Sequence, residues 1–191
     1  VASCSHTPPS SHVENSLTAS KILAVTPVKK TVATAAQIEK ESAKANQLFD
    51  DIYQENLMAS PMGQTYMGIK EDYDKWDDIS DVQAQKDQLK NINDLSRLQT
   101  INPKLLDQQS LLSYRLFSNK LNDQINDFQW RFHTYPVNQM HGLHSQAVSF
   151  MINAHRITDI TDAYAYISRL VGMKKLMKDL TQALRIRRSE E

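Results

Sequence analysis

The chain has 191 residues, with 22 Lys or Arg against 22 Asp or Glu, so its formal net charge is zero. A nucleic-acid binder needs a cationic face to displace counterions, and this balance argues against one. One cysteine, Cys4, excludes a disulfide framework within the chain and any cysteine-built zinc cluster. With only 4 Gly and 7% aromatic residues, and with many Gln, Asn, Lys, Asp and Leu, the composition favours helices over sheets.

Residues 1–33 read as a leader and linker, because residues 5–20 are rich in Ser, Thr and Pro and show no apolar periodicity. Thr34 and Gln37 have the spacing of a capping box and announce the first helix. Ile38, Ala45, Leu48, Phe49, Ile52, Tyr53 and Leu57 then recur at helical steps, and Pro61 is expected to stop the helix. Residues 62–79 read as a connector in which Tyr66, Tyr73 and Trp76 supply apolar area among charges.

Ser80 is a plausible N-cap, with Asp81 favourable in the first turn, for a helix bearing Val82, Leu89, Ile92, Leu95 and Leu98. Asn102-Pro103 is a strong restart signal. The apolar residues from Leu105 to Phe128 predict the longest helix, of about 25–30 residues. Tyr135-Pro136 breaks it, and residues 146–153 form a short apolar helix. Thr158 or Thr161 caps a last element carrying Tyr166, Ile167, Leu170, Leu176, Leu180 and Leu184, in which Gly172 marks a kink or a junction of two helices. The expected fold is mainly α, an array of antiparallel helices resembling a bundle, over residues 34–191. No run of about 18 apolar residues exists to span a membrane.

His141 and His144 invite a metal argument, because histidines three apart on a helix can donate to one zinc ion. A catalytic site needs a third ligand, for which His155 or Asp159 is available only at long range, and Gly142 disfavours a regular helix. Structural or surface histidines are the simpler reading, and a small metal module built on His133, His141, His144 and His155 is the weakest option. Asp72, Asp74, Asp77 and Asp78 look superficially like a calcium loop but lack its glycine and terminal glutamate at the right offsets, so a solvated face is the better reading. Phe128, Trp130, Phe132 and Tyr135 form an aromatic cluster that reads as core packing before it reads as a substrate groove. No catalytic, cofactor-binding or metal residue is assigned in this chain.

Two blocks carry a family resemblance. One runs Tyr135-Pro136-Val137-Asn138-Gln139-Met140-His141-Gly142 and on through residues 158–170; the other comprises Ser60-Pro61, Gly68-Ile69-Lys70 and Asp72-Tyr73-Asp74-Lys75-Trp76-Asp77-Asp78. Together they resemble the bacterial family known as domain of unknown function 885. That resemblance implies a helical domain forming the N-terminal part of a larger, all-α, metallopeptidase-like fold. Its zinc would sit on a His-Glu-x-x-His helix, a motif that occurs nowhere in these 191 residues. Zinc is therefore implied for the longer family member and not for this chain.

The resemblance also colours the start of the chain. Val1-Ala2-Ser3-Cys4 resembles the end of a bacterial lipoprotein signal, which would make Cys4 a lipidation site and tether the protein to a membrane. Ser5 after the cysteine points to the periplasmic face of the outer membrane in the cell envelope; the plainer reading is a leader with an incidental thiol. Two functions follow as expectations. One is an N-terminal helical fragment of an envelope lipoprotein that resembles a zinc-dependent peptidase, acts on peptides, and is inactive alone. The other is a complete, non-catalytic helical lipoprotein serving as a binding or assembly module.

Overall fold

The structure, a computed structural model, describes residues 33–189. The leader and Cys4, with the lipidation reading attached to them, lie outside the described residues. Among the described residues there are six α-helices and no strand: α1 (Ala35–Met58), α2 (Pro61–Tyr66), α3 (Asp81–Leu98), α4 (Gln108–Asp127), α5 (Leu143–Asn153) and α6 (Ile160–Ser189). The fold is mainly α, as the composition and periodicity require.

The capping signals explain where most helices begin. At α1, Gln37 N–H donates to the Thr34 hydroxyl while the Gln37 side chain accepts from Thr34 N–H, a complete capping box. Ser80 caps α3 by accepting from Gln83 N–H. α1 ends at Met58, and Ser60, just before Pro61, is extended, as the proline requires. Pro61 is also the first residue of α2, because Ser60 caps that short helix and proline's missing N–H costs nothing in a first turn.

Asn102-Pro103 does not open the long helix. It makes a 3-10 turn, Pro103–Leu105, after which Leu106 is extended and Asp107 becomes the true cap by accepting from Ser110 N–H and Oγ. α4 therefore has 20 residues, and the longest helix is α6, with 30. Gly172 lies inside α6 without a break. Its place is explained by Trp76: a Cβ added there would sit 3.1 Å from the indole Cδ1. α6 is capped by Asp159, whose carboxylate accepts from Asp162 N–H at 2.9 Å, and not by Thr158 or Thr161.

Cross-helix contacts fix the directions of the first three long helices. Glu41 meets Asn102, Lys44 meets Thr100 and Glu55 meets Lys90, so α1 runs antiparallel to α3. Ser42 meets Asp107, Asn46 meets Ser110 and Phe49 meets Phe117, so α1 runs parallel to α4. Between them Ala45, Ile101 and Leu106 are buried, with Leu48, Phe49, Leu111 and Tyr114 packed around them. Asp94, nearly inaccessible on α3, is neutralised by Lys90 and Arg97, and both also reach Glu55 on α1.

The rest of the chain builds a second packing region from α2, the segment following it, α5 and the first half of α6. At its far end α6 meets the segment that follows α4, where Arg187 donates to the Thr134 and Arg131 carbonyls.

Candidate functional site

The second region is organised by one buried cation. Arg169, on α6, has no accessible surface, and among the described residues no carboxylate bonds to its guanidinium. A guanidinium stays charged at any ordinary pH, so its desolvation has to be offset by acceptors. Nε donates to the Lys75 carbonyl (3.0 Å), Nη1 to His155 Nδ1 (2.9 Å) and Nη2 to the Thr65 hydroxyl (2.8 Å), with the Pro61 and Asp72 carbonyls at 3.3 and 3.4 Å. Phe150, Tyr73 and Trp76 present ring faces 4.8, 5.2 and 5.9 Å from the guanidinium carbon. Burial nevertheless pulls the Arg169 pKa below its ordinary value.

This bonding fixes the state of His155. Because Arg169 can only donate, Nδ1 must accept, and the ring proton sits on Nε2, which donates to the Asp162 carbonyl at 3.2 Å. The ring stacks on Tyr73 (4.1 Å between centroids) and meets the edge of Tyr166. Burial first, and the Arg169 charge after it, push the His155 pKa down, so the imidazole is neutral. Held in this way, His155 is a buried structural acceptor and is not free to bind a metal.

Asp162, in the first turn of α6, completes the site. Its Oδ2 accepts from Lys70 Nζ (2.7 Å) and from the Thr158 N–H and hydroxyl (2.8 and 2.6 Å). These bonds, Lys70 foremost, hold the Asp162 carboxyl far below the usual carboxylate range. Tyr73 closes the ring of contacts: its hydroxyl donates to the Arg156 carbonyl and accepts from Arg156 N–H. Outside this buried centre, Thr65, Tyr66, Met67, Lys70, Asn153 and Arg156 line an open cleft of about 450 Å³.

The other sequence candidates do not assemble. Gly142 occupies the cap of α5, so His141 precedes the helix while His144 lies in its first turn, and both are exposed. His133 packs against the edge of Trp130. Among the described residues no three His, Cys, Asp or Glu side chains are grouped to hold a metal ion, so the residues present do not fit the zinc that the resemblance implies for the longer family member.

The acidic run groups no three carboxylates for a cation among the described residues, and it is a solvated face only in part, with Asp74 and Asp78 exposed. Asp72 accepts from Gln64 and pairs with Lys75; Asp77 accepts from Ser60 Oγ and Met62 N–H at the start of α2; Asp78 accepts from Ser80 N–H. Asp72, Asp77 and Asp78 thus each secure a different turn. The aromatic cluster is not core: Trp130 and Tyr135 are 55% and 51% exposed, while Phe128 and Phe132 lie under the Arg131 guanidinium, which also pairs with Asp81.

Sequence reasoning missed Arg169 as the centre. The available signal was an arginine flanked by Ile167, Leu170 and Val171 in a helix otherwise apolar there. Its partners, at residues 61–75 and 155, lie too far away in sequence to be paired by spacing.

The family model described as bacterial protein of unknown function (DUF885) matches residues 61–191, more than half of the chain. The match takes in every residue bonded to Arg169 and leaves α1 outside. No curated protein and no solved structure matches the chain.

Proposed function

The chain belongs to the DUF885 family of bacterial proteins of unknown function, and from that premise we propose that it is a helical scaffold, one wall of a peptidase-like envelope protein whose zinc chemistry is supplied by other residues. The supporting observation is that α6 is buried along one side and carries an exposed apolar stripe along the opposite one. Asp162, Arg169 and Leu176, at steps of seven residues, are buried on the inner side. On the outer side Ile160, Tyr164, Ile167 and Val171, at steps of four, three and four, are 69%, 65%, 55% and 73% exposed. An apolar stripe opposite the buried side is built to be covered in its turn, and its step pattern is that of a seam between packed helices.

In this reading the outer face of α6 packs against further helices of a peptidase-like fold. The buried Arg169 centre holds α6 in place. Lipid anchoring through Cys4 at the periplasmic face of the outer membrane belongs to the same proposal, as do peptides as the substrate class.

The test is a variant of the 191-residue chain carrying Ile160→Gln, Tyr164→Gln, Ile167→Gln and Val171→Thr. Because these side chains are exposed, helix content and thermal midpoint should stay close to those of the parent. Binding of an apolar dye and concentration-dependent association should fall. A parent chain that neither binds dye nor associates would remove the argument. A parent that forms a stoichiometric, lasting dimer through this face would favour the alternative, a non-catalytic assembly module.

A further inference from the structure

The cleft beside the Arg169 centre has the chemistry of an anion site. Two of its lining side chains are cationic, Lys70 and Arg156, and none is acidic. Lys70 spends one N–H on Asp162 Oδ2 and one on the Thr158 hydroxyl, which leaves the third of its three ammonium donors for the cleft. Asp162, behind the lysine and nearly inaccessible, holds the ammonium in place without occupying the cleft.

Arg156 is arranged in the complementary way. Both its N–H and its carbonyl are held by the Tyr73 hydroxyl, so its backbone is anchored. Its guanidinium makes no hydrogen bond or ion pair among the described residues. Tyr66 and Met67, 66% and 61% exposed, give the cleft an apolar rim, and a volume of about 450 Å³ suits a small ligand.

We propose that this cleft binds an organic carboxylate bearing an apolar substituent, the carboxylate lying between the Arg156 guanidinium and the free Lys70 donor and the substituent lying against Tyr66 and Met67. A planar guanidinium is the side chain best matched to a carboxylate, through two parallel hydrogen bonds. The carboxylate could come from the C-terminus of a peptide or from a free acid, and the experiment separates the two.

Amide resonances of the ¹⁵N-labelled 191-residue chain are followed while N-acetyl-leucyl-phenylalanine, its C-terminal amide and 3-phenylpropionate are titrated in turn. The peptide acid should shift the amides of residues 65–70 and 153–158, and its amide should bind about tenfold more weakly or not at all, as the loss of a charge-assisted bidentate contact requires. Binding of 3-phenylpropionate as tight as that of the peptide acid assigns the site to free acids; markedly weaker binding assigns it to peptide ends. Arg156→Gln should weaken the acid about tenfold while Arg156→Lys retains part of the affinity. The proposal is overturned if the acid leaves those amides unmoved at millimolar concentration, if acid and amide bind equally, or if Arg156→Gln binds like the parent. The cleft and the outer face of α6 use different residues, so failure here leaves the scaffold reading untouched.

Discussion

His155 Nδ1 accepts a hydrogen bond from Arg169 Nη1 at 2.9 Å, with both residues buried and, among the described residues, no carboxylate bonded to either side chain. Protonating that imidazole would turn the acceptor into a donor aimed at a permanent cation. The pair is therefore stable in one ionisation state only.

The first consequence is a pH dependence of stability. His155 has its folded pKa pushed below the ordinary value of 6.5. As pH falls through 6.5 the unfolded chain takes up a proton that the folded chain refuses. Stability is thus complete above the unfolded value and is lost as pH falls from there toward the lowered folded value. Urea unfolding should give a midpoint that declines over this range, before most carboxylates titrate. His155→Phe should cost stability at neutral pH and remove most of that decline. An unchanged slope in His155→Phe would refute the assignment.

Arg169 itself should tolerate no substitution. Arg169→Leu removes the donor from the Lys75 carbonyl, the Thr65 hydroxyl and His155 at once, and each buried acceptor left unpaired costs about 1–3 kcal/mol. A total loss of about 3 kcal/mol or more is expected from denaturant midpoints at constant slope. Arg169→Lys should recover little, because one ammonium cannot span acceptors that a planar fork reaches on several sides. A loss below about 1 kcal/mol would show that the centre relaxes around the change.

Gly172 offers a test of sign. In an open helix, Gly→Ala stabilises by about 1 kcal/mol. Here the added methyl would press on the Trp76 ring, whose Nε1–H donates to the Arg169 carbonyl at 2.8 Å. Gly172→Ala should therefore gain nothing and should shift tryptophan emission as the indole moves. Full stabilisation with unchanged emission would contradict the contact.

Gly142 behaves differently. Its φ is +150°, and a Cβ there would come within 2.8 Å of the Val137 backbone, to which it is bridged. Gly142→Ala should destabilise the 137–142 turn and the start of α5, seen as faster amide exchange at Ser145 and Gln146, whose N–H groups bond to the Gly142 carbonyl. Exchange equal to that of the parent at both amides would rule this out.

These tests follow the line between what was legible in the sequence and what was not. Thr34–Gln37 and Ser80 could be read directly, because a cap and the N–H groups it satisfies lie within one turn. Helix stripes could be read wherever one face alone was apolar, as in α1. Signals that compete locally misled: Asn102-Pro103 has the form of a long-helix start, yet Asp107 supplies the better acceptor; Pro61 did mark the stop of α1, but the short helix that Ser60 caps there went unread. Gly172 read as a break because the indole that fills its space comes from residue 76. The Arg169 centre was least legible, since a buried cation is recognised by its acceptors and these come from distant segments. The two histidines were legible for the converse reason: Gly142 between His141 and His144 spoke against one regular helix, and only His144 lies in α5.

The proposal that these helices are a scaffold whose zinc chemistry is supplied by other residues can be tested directly. The most direct measurement is to equilibrate the purified 191-residue chain with zinc at neutral pH, remove the excess, and determine bound metal together with hydrolysis of a mixed peptide pool. The account predicts less than stoichiometric zinc, no zinc-dependent cleavage, and no change on replacing His141 and His144 with alanine. One tightly held zinc per chain, with cleavage abolished by a chelator and restored by the metal, would contradict it.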